Sequence, residues 1–300
     1  MKKQIHEKIE AQIRSTFNCR EIESLVVSFF DYQSQKRDYK FGELTLLHFE
    51  MFNGKNEEII SVAAAIEMLA LATDILDDLQ DQDNLDTPWQ KTDGKIILNL
   101  ATGLLLLSKK TLDQFDFANH STINEIYYFL IFQSMIGQHF DLKNDCNTTE
   151  DYLNLVMKKS SSLITLACFL GAMIAQSNRQ QQSVVKQYAE KIGLISQLKN
   201  DLNDLYTWDK KSDLRQKKRT LPILYMLSIN EPSKVKEYYL SENSFENIKD
   251  QRQEFIEEME QFGAMNYTKA MIELNKIETF DLIDQLDISH IYKERLKTFI

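Results

Sequence analysis

The chain has 300 residues, of which 43% are hydrophobic, and a formal net charge of −10. This acidic balance argues against nucleic-acid binding, which depends on the neutralisation of phosphates by Lys and Arg. The chain has only three prolines and eight glycines and lacks a Pro/Gly/Ser-rich linker, so it is expected to form one nearly all-helical domain over residues 1–300.

Membrane and secretion signals are weak in this sequence. The longest apolar runs, at 100–107 and 163–175, are shorter than the about 20 residues that cross a bilayer, so no transmembrane segment is expected. The N-terminus has no apolar stretch of the kind found in signal peptides. Cys19, Cys146 and Cys168 form no CxxC pair and are interpreted as reduced thiols. These features indicate a cytoplasmic protein.

Apolar residues recur with a helical period along most of the chain. The predicted helices span 4–16, 21–33, 43–52, 57–82, 93–116, 122–141, 149–176 and 181–207. Shorter helices are expected from residue 220 onward, with breaks at 230–232, 241–244 and Gly263. Pro88 prevents the fourth helix from continuing, because the residue before a proline disfavours the α conformation. The sequence therefore predicts an all-α fold.

The fourth predicted helix ends in a group of acids. Asp77 and Asp81 are four residues apart and face the same way, while Asp78 lies about 100° round the turn. Clustered carboxylates repel one another unless a cation or solvent compensates them. Hard oxygens on one helix face suit Mg²⁺, which often shares its shell with a substrate phosphate. A solvated acidic helix end is the alternative interpretation.

A second polar face lies on the predicted helix 181–207. Gln197 with Asp201, and Asn200 with Asp204, are pairs at a spacing of four. A strongly basic segment follows at 210–219. Each of these features alone is most often solvated surface, but together they could enclose a polyanion. The histidines form no metal-binding cluster, and the His139–Asp141 pair is interpreted as structural.

Four motifs, in order, resemble those of the trans-isoprenyl diphosphate synthase family over about residues 42–222. The first is Asp77-Asp78-x-x-Asp81, and the second is Lys159-Ser160, which is similar to the family's Lys-Thr pair. The third and fourth are Gln197-x-x-Asn200-Asp201-x-x-Asp204 and Asp213-Leu214-x-x-x-Lys218-x-Thr220-Leu221-Pro222. Asn200 departs from the family's Asp, and its amide oxygen can still bind Mg²⁺ but brings no charge.

The resemblance implies an isoprenoid-synthase-like helical bundle around a central apolar cavity, Mg²⁺ as cofactor, and a homodimer. The residues that it implies as metal ligands are Asp77, Asp81, Asn200, Asp201 and Asp204. Those that it implies as catalytic are Asp77, Asp78, Asp81, Lys159 and Lys218. Lys159, Gln197 and Lys218 would bind an allylic diphosphate.

The prenyl tail of that substrate would lie beneath the first acidic motif. Leu69, Ala72 and Thr73 occupy the stacked positions upstream of Asp77, and none is aromatic. No ring closes the pocket directly below the metal site, so both geranyl and farnesyl chains stay open as donors. Phe132 and Phe169 are two candidates for a more distant floor of this pocket.

The basic residues that this family uses to bind a second diphosphate are missing. Near Gly42 the expected Lys and Arg residues give way to Gly42-Glu43-Leu44, Ala70 replaces a His, and the stretch Asn84–Trp89 replaces an Arg-Arg pair. This pattern resembles the ComQ-type peptide prenyltransferases of bacterial quorum sensing, which modify a tryptophan of a pheromone precursor peptide. A neutral indole acceptor needs no phosphate clamp.

The sequence thus predicts transfer of a geranyl or farnesyl group from its diphosphate to a Trp side chain of a small precursor peptide. By the resemblance, indole C3 attacks the allylic carbon and the backbone nitrogen then closes a ring on C2. Three alternatives remain: a chain-elongating polyprenyl diphosphate synthase, a class I terpene cyclase and a non-catalytic partner subunit.

Overall fold

The computed structural model describes residues 1–117, 119–207 and 213–300, and the regular structure in those ranges is helical. The helices are α1 (Lys2–Phe17), α2 (Arg20–Arg37), α3 (Lys40–Met51), α4 (Ile59–Asp81), α5 (Gly94–Leu112), α6 (His120–Lys143), α7 (Thr149–Lys159), α8 (Ser161–Ile174), α9 (Arg179–Tyr206), α10 (Leu221–Ser228), α11 (Lys234–Leu240), α12 (Arg252–Gln261), α13 (Ala264–Asp284) and α14 (His290–Lys297). A 3₁₀ turn at Phe245–Asn247 lies between α11 and α12. The all-α prediction is confirmed.

Helix α4 lies at the centre of the bundle and packs against α1, α3, α5 and α8. Every residue from Ser61 to Ala72 is buried, and alanines at several of these positions let the neighbouring helices approach closely. By length and apolar composition α4 could cross a membrane, a property that the sequence analysis overlooked, but 78% of its apolar window is buried inside the protein. Its apolar surface is therefore covered by the other helices.

Helix α9 contributes to two apolar clusters. Its first half, including Val185 and Ile192, packs into the cluster formed mainly by α1–α6 and α8. Its second half, including Leu198 and Leu205, packs with α7 and α10–α13. A capping box between Asn178 and the third helical residue fixes where α9 starts. The acidic end of this helix, with Asp201 and Asp204, therefore lies within the second cluster.

The single helix predicted over 149–176 is wrong, because the structure breaks it at Ser160 into α7 and α8, which meet at a bend of 44°. Two glycines on neighbouring helices permit the break. A Cβ on Gly137 of α6 would overlap the backbone nitrogen of Lys159 and lie 2.7 Å from its Cα, and a Cβ on Gly193 of α9 would overlap the backbone of Ser161. The α7–α8 junction is therefore clamped between α6 and α9.

The last third of the chain follows the prediction in part. The break at Gly263 is confirmed, since its φ of +85° ends one helix and precedes the next. Pro222 stands in the first turn of α10, where a missing N–H costs nothing. Helix α13, however, runs for 21 residues rather than being short, because its Ile272, Thr279 and Ile283 pack into the core along its length.

Candidate active site

The carboxyl ends of several helices converge on one polar cavity of about 360 Å³. Asp77 and Asp81 stand in the last turns of α4, Asp141 in the last turn of α6, and Asp201 and Asp204 near the end of α9. Acids at helix C-termini are unfavourable because the helix dipole already places partial negative charge there. The cavity therefore has a strong attraction for cations.

Lys159 and Lys218 supply two of these cations. The Lys159 ammonium lies 3.0 Å from Asp77 Oδ1 and 2.6 Å from Asp141 Oδ2. The Lys218 ammonium lies 2.8 Å from Asp81 Oδ2 and 2.8 Å from the same Asp141 oxygen. Burial alone would lower the pKa of each lysine, but the surrounding carboxylates raise it above its usual value. Both lysines are therefore fully charged at neutral pH.

The place of Asp141 in this cavity was missed in the sequence, where the residue was interpreted as half of a structural His–Asp pair. In the structure it lines the cavity, whereas His139 is exposed and its ring contacts Phe140. One sequence signal could have identified it. An acid two residues before the end of α6 opposes the helix dipole, which suggests that a cation compensates it.

The first motif fits a divalent cation that shares its shell with a phosphate. Asp81 Oδ1 is buried and accepts no hydrogen bond from the described residues. Asp77 Oδ1 lies 3.0 Å from the Lys159 ammonium, but no described donor has the geometry of a hydrogen bond to it. Buried carboxylate oxygens without donors favour a cation. In the part of the chain that the structure describes, no three Asp, Glu, His or Cys side chains converge closely enough to enclose a metal ion by themselves. Mg²⁺ is often held by one or two carboxylates together with a substrate phosphate, which this arrangement allows.

The second motif forms a hydrogen-bonded chain that reaches the α7–α8 junction. The Tyr152 hydroxyl and Gln197 Nε2 donate to Asp201 at 2.5 and 2.8 Å, and the Ser160 hydroxyl donates to Gln197 Oε1 at 2.8 Å. Complete burial raises the pKa of Asp201 to about 7 despite these two donors. Asn200 and Asp204 also line the cavity. Apart from Asp78, the predicted residues of the two motifs thus line the same cavity.

The basic segment predicted at 210–219 divides into two parts. Residues 210–212 lie outside the described residues. Lys218 and Arg219 line the cavity, while Lys217 donates to the Ser241 carbonyl and Arg215 stacks on Phe245, away from it. Gln216 Nε2 donates to the Asp81 carbonyl at 2.6 Å and ties this loop to the end of α4. That bond places Lys218 beside the first motif.

Asp78 lies apart from the cavity, and its assignment as a catalytic residue stays a prediction. Asp78 is absent from the cavity lining and is buried on the other side of α4. Trp89 Nε1 and Asn84 Nδ2 each donate to one of its carboxylate oxygens at 2.6 Å. The Trp89 ring packs edge-on against Phe29 and Tyr32. Burial raises the pKa of Asp78 to about 6, and its two hydrogen bonds tie the loop that follows α4 to that helix.

The residues predicted to line the tail pocket are tightly packed. Leu69 and Ala72 are fully buried in the main apolar cluster, and Thr73 is half-buried, with its hydroxyl donating to the Ala70 carbonyl. Phe132 is 57% exposed on the outside of α6, so it cannot close an internal pocket within one chain, whereas Phe169 is half-buried against the core. The tail assignment of Leu69, Ala72 and Thr73 stays a prediction.

Comparisons with known proteins agree with the sequence motifs. The sequence model of the family described as polyprenyl synthetase matches residues 41–259. The tryptophan prenyltransferase ComQ of Bacillus spizizenii is 32% identical over 292 residues, which cover 96% of this chain and 99% of that protein. ComQ of Bacillus subtilis is 29% identical and covers 95% and 93% of the two chains. In structure, the chain is similar to a geranylgeranyl pyrophosphate synthase, with a TM-score of 0.86, 22% identity and coverage of 100% of this chain and 97% of the other.

Replacement of Asp78 by Ala should destabilise the protein by about 2–4 kcal/mol, because it leaves the buried Trp89 N–H and the Asn84 amide without an acceptor. Asp78→Asn keeps an acceptor for Trp89 and should cost less. Urea unfolding followed by circular dichroism measures both, with Asp86→Ala as a control in an exposed acid of the same loop. A stable Asp78→Ala protein that has lost turnover would support the catalytic assignment.

Proposed function

Because the chain belongs to the polyprenyl synthetase family and is a ComQ-type prenyl transferase, we propose that it transfers a prenyl group to a tryptophan of a peptide. The observation that carries this proposal is the distribution of charge. The ammoniums of the half-buried Lys159 and the buried Lys218 face the proposed donor cavity. The segments 39–47 and 84–89, where a second diphosphate would be bound in this family, contain one basic residue, Lys40.

The surroundings of those segments also disfavour a second diphosphate. Glu67 is buried beside Gly42, and its Oε1 accepts a hydrogen bond from the Gly42 backbone N–H at 2.6 Å. Ala70 is fully buried. Glu43 and the exposed Asp86 would repel an anion brought close to them. A neutral indole meets none of this repulsion, which supports an aromatic rather than an anionic acceptor.

The chain's own residues support ionisation of an allylic donor. As the carbon–oxygen bond breaks, its electron pair leaves with the diphosphate, and the ammoniums of Lys159 and Lys218 would stabilise the charge that develops there. Gln197 lies on the same cavity wall and is held by Ser160. Bound Mg²⁺, for which Asp77, Asp81, Asn200, Asp201 and Asp204 are the candidate ligands, would supply further neutralisation of the diphosphate.

Indole C3 of the acceptor then forms a bond to the allylic carbon, which transfers the positive charge to the indole ring. The peptide's backbone nitrogen bonds to C2 and loses a proton, and the ring system becomes neutral. The released diphosphate is a candidate acceptor for that proton. We extend the proposal to a geranyl or farnesyl donor and to a pheromone precursor peptide as the acceptor. Maturation of such a peptide for quorum sensing and competence would take place in the cytoplasm.

Helix α6 presents an apolar face that supports a homodimer. Tyr128, Phe129, Phe132, Met135, Ile136 and Phe140 recur at helical spacing, and each is 40–62% exposed. Patches of this kind on a soluble chain mark interaction sites, and a twofold axis would set the same face of each copy against the other. We propose that a second copy of the chain covers it.

The acceptor is tested by incubating the purified protein with Mg²⁺, geranyl or farnesyl diphosphate, and one of two acceptors. One is isopentenyl diphosphate, and the other is a set of short peptides with a single Trp, each paired with a Trp→Phe control. We expect mass spectrometry to show one prenyl group added to Trp peptides alone. Efficient formation of longer diphosphates would favour the elongating synthase, release of a hydrocarbon or alcohol without acceptor would favour the cyclase, and no reaction at all would favour a non-catalytic partner.

Asp77→Ala and Asp81→Ala should each reduce turnover by about 10²-fold or more, as is typical when a group that stabilises charge in the transition state is lost. Their helical content should persist, because these carboxylates repel one another in the fold. Turnover of the donor and circular dichroism are measured side by side, with Asp86→Ala as the matched control. Full activity in both variants would contradict the metal assignment.

Phe132→Glu should convert a dimer into a monomer, because it would place an unpaired carboxylate of each copy in the apolar interface. Sedimentation velocity reports the mass in solution. Leu240→Glu, at a residue that is 64% exposed outside the α6 face, serves as the control and should leave the dimer intact. A monomeric parent protein would contradict the proposed dimer.

A further inference from the structure

One carboxylate oxygen in the cavity binds two ammoniums at once. Asp141 Oδ2 accepts hydrogen bonds from Lys159 at 2.6 Å and from Lys218 at 2.8 Å. Burial alone would raise the pKa of Asp141, yet these two ammoniums hold it below its usual value. Asp141 is therefore an anion that anchors both lysines, although the three residues come from separate parts of the chain.

The same ammoniums also reach the first acidic motif. Lys159 lies 3.0 Å from Asp77 Oδ1, and Lys218 lies 2.8 Å from Asp81 Oδ2. An ammonium and a divalent cation compete for the lone pairs of one carboxylate oxygen. Lys159 contacts Asp77 Oδ1 itself, and Lys218 contacts Asp81 Oδ2, beside the Oδ1 that has no described donor, so each ammonium lowers the affinity of the first motif for a divalent cation.

We propose that Asp141 is a positioning residue that shares Lys159 and Lys218 with Asp77 and Asp81, and so weakens their hold on those two carboxylates and leaves them more available to a divalent cation. Without Asp141, the nearest carboxylates left to the lysines are Asp77 and Asp81, since Asp213 is 3.9 Å from Lys218. The two ammoniums would then bind the carboxylates of Asp77 and Asp81 more strongly. The inference rests on the cation and diphosphate part of the proposed function and not on the identity of the acceptor.

A direct role as a metal ligand is the rival explanation for any effect of Asp141, and the two are separated by removing the lysines. A positioning residue acts through Lys159 and Lys218, so its effect should vanish when they are gone. A ligand contacts the cation itself, so its effect should remain. Asp83 also lines the cavity, and Asp83→Asn removes the same charge from the cavity wall as Asp141→Asn does. It therefore calibrates the general electrostatic loss.

The experiment measures Mn²⁺ binding to the full chain by electron paramagnetic resonance of the free ion, with no donor and no acceptor present. In the parent background, Asp141→Asn should weaken Mn²⁺ binding about tenfold more than Asp83→Asn does, a difference of about 1.4 kcal/mol. In the Lys159→Met, Lys218→Met background, the two Asn variants should weaken binding equally. The double-lysine variant itself should bind Mn²⁺ more tightly than the parent.

Two outcomes would overturn the proposal. One is an excess loss with Asp141→Asn that persists without the lysines, which would make Asp141 a ligand. The other is the same loss for Asp141→Asn and Asp83→Asn in the parent. If the triple variant does not fold, the single Lys159→Met and Lys218→Met backgrounds each should remove part of the excess. Because the assay contains no acceptor, its result does not depend on whether the acceptor in turnover is a tryptophan.

Discussion

The concentration of negative charge at converging helix ends is the constraint on which the rest of this site depends. Helices α4, α6 and α9 each end with carboxylates at the same cavity, and each adds the negative end of its dipole. Such an arrangement is tolerable only with compensating cations. Lys159 and Lys218 provide part of that compensation from within the chain, and the remaining buried Asp81 oxygen favours a cation from outside it.

The position of Lys159 depends on close steric contacts between the α7–α8 junction and two glycines of neighbouring helices. The α7–α8 break brings the lysine to the cavity, and that break exists where Gly137 and Gly193 let two helices touch the backbone at 159–161. The hydrogen bonds from Ser160 through Gln197 to Asp201 then join this junction to the second motif. Steric fit and polar contacts thus hold the lysine and the second acidic face in one rigid arrangement.

Residues outside the cavity lining support the proposed neutral acceptor over a second diphosphate. The structure places a buried Glu67 behind Gly42 and commits Asp78 to Trp89 and Asn84. These contacts place buried acids against the segments 39–47 and 84–89, in which a second diphosphate would need basic residues. Similarity to solved synthases therefore accounts for the shape of the bundle, whereas the charge distribution is what supports a neutral acceptor.

The sequence alone determined the helical class and most helix positions, because helical periodicity is a local property, and its resemblance to a known family supplied the acids and lysines of the four motifs. It did not determine the break at Ser160, the length of α13, the direction of Asp78 or the partners of Asp141. Lys218 meets Asp81 across 137 residues of chain and Asp141 across 77. Local spacing gives the face of a helix on which a carboxylate lies, but only packing between helices decides which ammonium, indole or amide it meets there.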